Sequence, residues 1–125
     1  MRTFQTFFAA LFVLSVMLLP VPASSAAVKP TIRVDIGRAL NEALQAVQAK
    51  DFVLARDKAQ LADMARDKTP FEEYVVAKYL STIALMQPMP DYAAAQAAYD
   101  RIIASGGVPD ADRASVEELA RKLQR

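Results

Sequence analysis

Between Pro70 and Met86 the chain leaves itself almost no polar face: Val75, Val76, Ala77, Tyr79, Leu80, Ile83, Ala84 and Leu85 point in every direction around a helical wheel. A helix apolar almost all round is stable in water only when other elements cover it on several sides, which places this one at the centre of a domain. Its start is also written out. Thr69 caps, Pro70 takes the first helical position, and Glu72 reaches back to complete a capping box. The rest of the fold has to be built around this segment.

Helical patterns surround it. Ile36, Leu40, Ala43, Leu44 and Val47 lie on one face of a helix predicted over residues 35–49, with Asp35 as N-cap. Lys50-Asp51 makes a tight turn into a second helix, residues 52–66, whose apolar positions Phe52, Ala55, Ala59 and Ala62 are mostly small and suit close approach to neighbours. After the central helix, Gln87-Pro88-Met89-Pro90 forces a loop. A fourth helix follows over residues 91–105, with Tyr92, Ala95, Tyr99 and Ile102 on one face and Gly106-Gly107 ending it. Pro109 opens a fifth over residues 110–123, with Val116, Leu119, Ala120 and Leu123 inward and the ordered pairs Glu117/Arg121 and Glu118/Lys122 outward. The expected fold class is all-α.

The N-terminus reads as an export signal over residues 1–26. Arg2 supplies the positive start, residues 7–19 are apolar apart from Ser15, Pro20 and Pro22 end any helix, and cleavage is expected after Ala26 or Ala27. The apolar run falls short of the roughly 18–20 residues that span a bilayer, which argues against an uncleaved anchor. Residues 27–34 then form an extended arm, since Lys29-Pro30 breaks a helix, and residues 35–125 form one helical domain.

Composition narrows the chemistry. Cleavage removes one arginine and leaves a mature chain of near-zero net charge, with no electrostatic reason to bind nucleic acid or an anionic membrane. The chain has no Cys, hence no disulfide or thiolate, and no His, the commonest general base and metal ligand. Its three glycines exclude a glycine-rich phosphate cradle. Asp63 and Asp67 resemble a carboxylate pair but, beside Arg66 and Lys68, read as a solvated helix end. Glu72-Glu73, Asp110 and Asp112 are acids of first helical turns, where the helix dipole favours them. Tyr92 and Tyr99 are expected in the core, whereas the pattern leaves Tyr74 and Tyr79 undetermined. No enzyme activity, cofactor or metal is expected.

Two segments align at one constant offset: Asp51-Phe52 with Asp91-Tyr92, Ala55 with Ala95, and Ala59 with Tyr99. With Leu80-Ser81 as a large–small pair and Pro109 as a closing proline, this pattern resembles the tetratricopeptide-repeat family, and the order of turns resembles exported bacterial proteins of that class. Pro90 departs from the family's usual glycine, Pro88-Met89 looks like an insertion, and Glu42 stands near a position the family keeps apolar. The resemblance implies a right-handed α-solenoid of antiparallel helix pairs, about two and a half repeats long, in the bacterial periplasm. It also implies a small exported module that holds a peptide or partner protein on the face made by the first helix of each pair, here through Asn41, Gln45, Lys78 and Thr82. Because three repeats are usually needed for a stable stack, the alternative is a structural protein that self-associates through helix one or helix five, with no separate ligand.

Overall fold

The structure is a computed structural model that describes residues 30–125. The expected signal and cleavage points lie outside the described residues. Five helices follow in order: α1 Val34–Gln48, α2 Phe52–Asp63, α3 Pro70–Met86, α4 Tyr92–Ser105 and α5 Asp110–Leu123. No strand occurs among the described residues, and the chain is all-α.

Each helix runs antiparallel to the next. The start of α1, at Ile36 and Ala39, packs with the end of α2 at Ala62, while the end of α1, at Ala46, packs with the start of α2 at Ala55. The α3–α4 pair repeats this arrangement, and α3 also touches both α1 and α2. Alanine makes these close approaches possible. Ala43, Ala55, Ala59, Ala77 and Ala95 are all sealed from solvent, and a methyl group at the seam lets two helix backbones approach each other more closely than a larger side chain would.

The two aligned segments share their caps and the buried positions that follow them. Asp51 and Asp91 are both N-caps with nearly the same backbone angles, φ −91°, ψ 82° and φ −92°, ψ 87°. Their carboxylates accept from the backbone N–H three residues on, Leu54 at 3.1 Å and Ala94 at 3.0 Å. Ala55 and Ala95 are buried one turn later, and Ala59 and Tyr99 one turn beyond those. The aromatics do not match. Phe52 is half-buried, but Tyr92 is 63% exposed, contrary to its expected place in the core: the buried seam of α4 begins one turn after it, at Ala95.

Local chemistry sets the helix ends. Thr69 and Glu72 form the expected capping box, with the Glu72 N–H donating to Thr69 Oγ1 at 3.1 Å and the Thr69 N–H donating to Glu72 Oε2 at 3.0 Å. The tight turn after α1 is a Schellman closure: Asp51 N–H donates to the Ala46 carbonyl at 2.8 Å and Lys50 N–H to that of Val47 at 2.9 Å. Lys50 takes the left-handed position there with φ 61°. Two expected boundaries shift. α1 begins at Val34 rather than at an Asp35 cap, and its N-cap Arg33 makes no side-chain capping bond. α2 stops at Asp63 rather than Arg66, because the Lys68 ammonium donates to the carbonyls of Asp63 and Ala65, and Asp67 turns left-handed with φ 54°.

The link between α4 and α5 is pressed onto the start of α3. Gly106 supplies the left-handed cap with φ 69°, and Gly107 sits so close to α3 that a Cβ there would overlap the Pro70 carbonyl. This contact brings the first turn of α5 up against the first turns of α3.

Candidate functional site: an apolar groove along α3

The helix expected to be covered on several sides is covered on most of them and left open along one. Phe71, Val75, Lys78, Thr82 and Met86 descend a single face of α3 at spacings of three and four residues, and Tyr74 and Tyr79 flank them. One wall comes from the end of α1, through Leu44, Val47 and Gln48, and the other from Pro109 and Asp112 at the start of α5. The first, third and fifth helices thus line a groove of about 640 Å³, within the range of about 300–1,000 Å³ typical of ligand pockets.

Its floor is held in place from below. Tyr74 is buried with Ala77, Tyr99, Ile102 and Val116, and its ring lies 6.0 Å from that of Phe71. Its hydroxyl donates to Asp112 Oδ2 at 3.2 Å, a bond that ties α3 to α5. Burial pushes the phenol up from its usual value; Lys78 pulls the other way and Asp112 adds to the rise, so the net shift is upward and the hydroxyl keeps its proton. The Lys78 ammonium lies 5.7 Å from the centre of the Tyr74 ring, within cation–π range, and forms no salt bridge among the described residues.

All four candidate residues are exposed, but the structure does not bring them together. Lys78 and Thr82 lie on the groove floor; Asn41 and Gln45 are outside its lining, and α1 contributes Leu44, Val47 and Gln48 instead. The pattern had assigned Leu44 and Val47 to the core. The buried residues of α1 are in fact Ile36, Ala39, Leu40, Ala43 and Ala46, which leaves Leu44 at the groove's edge and 42% exposed. Thr82 donates its hydroxyl back to the Lys78 carbonyl at 2.9 Å, so its methyl and backbone, more than its oxygen, are on offer.

Asp63, Glu72 and Glu73 each tie distant parts of the chain together. Asp63 is not a solvated helix end. Arg101 grips it with two bonds, Nη2 to Oδ1 at 2.6 Å and Nη1 to Oδ2 at 3.1 Å, and also donates to Glu73 Oε1 at 2.5 Å from Nη2 and 3.1 Å from Nε. Lys68 completes the cluster at 3.7 Å from Asp63 and 3.6 Å from Glu73. Burial raises the Asp63 carboxyl, but the two cations outweigh it and hold it below its ordinary value. Arg101 in turn is held further up by its bonds to Asp63, against the effect of burial. Two acids against two bases, all engaged with each other, fasten α2, α3 and α4 together. Asp67 takes no part and lies beyond the end of α2.

Glu72 does more than cap. It is 1% exposed, and its Oε1 also accepts from the Arg33 N–H at 3.1 Å and Arg33 Nε at 3.3 Å. Burial raises this carboxyl, but the bonds from Thr69 and Arg33 pull it below its usual value. Arg33 further donates to the Arg66 carbonyl at 2.8 Å. One arginine therefore joins the arm, the end of the α2 region and the start of α3, an arrangement invisible in the sequence because its parts are 33 and 39 residues apart.

Among the described residues no group of three or more His, Cys, Asp or Glu side chains could hold a metal ion, and no helix is long and apolar enough to cross a membrane. The chain is an all-helical array whose alternate helices line an apolar, aromatic-floored groove. Comparison with protein-family profiles, with curated proteins and with solved structures returns no match.

Proposed function

We propose that this chain is a small exported interaction module, a right-handed solenoid of the tetratricopeptide-repeat kind acting in the bacterial periplasm, and that its groove receives the apolar face of a peptide or partner helix. The observation that carries this reading is the open face of α3, where aromatic and aliphatic side chains remain accessible between two walls while Lys78 stands among them with no salt bridge among the described residues. An all-helical surface offers no strand edge to extend, so a helix laid in a groove, anchored at positions spaced three and four apart, is the recognition mode this shape suits. An acidic residue beside those anchors would pair with Lys78. The leader-like residues 1–26 support export, and the twin caps at Asp51 and Asp91 support the repeat.

Selection from a displayed library of amphipathic peptides tests the proposal, with Thr82→Arg as the counter-screen. Thr82 is exposed at mid-groove, so a long cation there obstructs the floor and leaves the core intact. The expected outcome is a set of peptides with apolar anchors at helical spacing and an acid among them, bound by the wild type and lost on the variant. Peptides captured equally well by both proteins would overturn the groove as the site.

A further inference from the structure

The outer face of α2 carries a pattern complementary to the groove. Val53, Leu61 and Met64 are 74%, 56% and 77% exposed, and with Asp57 they form one stripe along the helix. Of the three consecutive charges on α2, Arg56 donates to Gln87 at 2.9 Å and Lys58 pairs with Glu42 at 2.6 Å. Asp57, between them, has no side-chain partner among the described residues. In the groove, Asp112 accepts from the neutral Tyr74 hydroxyl, and the Lys78 ammonium forms no salt bridge among the described residues, resting 5.7 Å from the centre of the Tyr74 ring.

Resting on the groove as a binding site, we infer that its occupant includes a second copy of this chain, docked through the outer face of α2 with Asp57 against Lys78. The lengths agree. At about 1.5 Å per residue, the stripe from Val53 to Met64 spans about 16 Å and the floor from Phe71 to Met86 about 22 Å. Lys78 stands near the middle of that floor. With Asp57 placed on it, the same rise puts Val53 about 6 Å to one side and Met64 about 10 Å to the other, within the floor in either direction. The side chains of one helical face, not a whole helix, fill the groove. Stripe and groove are different surfaces, so the contact is heterologous, and each docked copy still presents a free stripe or a free groove to the next. Self-assembly and peptide capture would then compete for one floor.

Sedimentation equilibrium of the purified chain over a concentration series, at low and moderate salt, reads this directly. The wild type is expected to gain mass with concentration, in steps beyond a dimer. Asp57→Lys and Lys78→Asp, both at exposed positions, are each expected to raise the concentration needed at least tenfold, since truncating or reversing a paired interfacial charge acts mainly on dissociation. The double variant is expected to recover to within about threefold of wild type. Far-UV circular dichroism and the melting temperature confirm that each variant folds. A wild type that stays monomeric at every concentration, a single reversal without effect, or a double variant that fails to recover would overturn the inference. None of these touches the groove reading, because Asp57 lies outside the groove and peptide selection with the Thr82→Arg counter-screen judges that site separately.

Discussion

Replacing Glu72 by Gln isolates the charge of the one fully buried carboxylate among the described residues while preserving its size. In the native protein that carboxylate accepts three hydrogen bonds: from the Thr69 N–H at 3.0 Å on one oxygen, and from the Arg33 N–H and Nε at 3.1 and 3.3 Å on the other. A carboxamide has one acceptor oxygen. Turned one way it keeps both Arg33 bonds and presents its NH2 to the Thr69 N–H; turned the other it keeps the cap and faces its NH2 to Arg33. At least one donor is left facing another donor, and the remaining bonds lose their charge assistance. Bonds to charged groups contribute about 1.5–3 kcal/mol and neutral ones about 1 kcal/mol, while removing a buried charge recovers part of its desolvation cost. The net expectation is a loss of about 1.5 kcal/mol, a fall in Tm of roughly 6–12 °C for a domain of this size. The pH dependence follows from the direction of the shift. The folded-state carboxyl lies below its ordinary 4.5, so its contribution is fully present above that value and is lost as the pH falls through the folded-state pKa. Thermal melts followed by far-UV circular dichroism from neutral pH down to about pH 3 should therefore show the gap between wild type and Glu72→Gln narrowing as the solution is acidified. The other depressed carboxyls, Asp63 and Glu118, are common to both proteins and cancel in the difference. Equal Tm values at neutral pH, or a gap that stays constant on acidification, would refute the account of Arg33, Thr69 and Glu72 as a charge-assisted unit.

Gly107→Ala should cost more than Gly106→Ala, although only Gly106 has a positive φ: the added methyl at 107 meets the Pro70 backbone and costs about 1–3 kcal/mol as overpacking, against about 1 kcal/mol for the strained cap, and urea midpoints will rank them. Lys50→Gly should stabilise by about 0.5–1 kcal/mol, because a side chain in the left-handed position of the α1–α2 turn carries strain that glycine does not; a higher Tm confirms it. Arg101→Met, which leaves Asp63 and Glu73 sharing only Lys68, should destabilise by about 1 kcal/mol in dilute buffer, as expected for a half-exposed ion-pair cluster, and by less in about 1 M salt, where screening is short-ranged.

What the sequence announced well was whatever a few neighbouring residues decide. The capping box at Thr69–Glu72 is a short local pattern and was legible to the residue; so was the Gly106 stop. The correspondence between Asp51 and Asp91 was legible because each unit places a small residue one helical turn after an aspartate–aromatic pair. The missed features all join distant parts of the chain. Arg33 shapes the entry to α1 by serving Glu72 and Arg66, so no local capping pattern marks Val34. The pairing of Arg101 with Asp63 and Glu73 crosses 38 and 28 residues. The candidate site was half legible for the same reason. An apolar helix declares that it must be covered, but the uncovered face depends on how far α1 and α5 lean over it, and that is set by small seams such as Ala43 against Ile83 and by Gly107 against Pro70. Polar character drew attention to Lys78 and Thr82, which line the groove, and to Asn41 and Gln45, which do not, because the groove is floored by the aromatic residues of α3 and walled by the edge of α1.

The matched turns at Asp51 and Asp91 make the length of this channel a matter of counting. Each of the two segments brings its own cap and its own buried alanines. On the proposed solenoid reading, a synthetic gene with one more such segment spliced between the existing two would set another odd-numbered helix beside the floor and widen it by one interhelical spacing, about 8–10 Å. On the proposed binding reading, the reach over a longer guest would be graded in this way without redesigning a single side chain already in the channel.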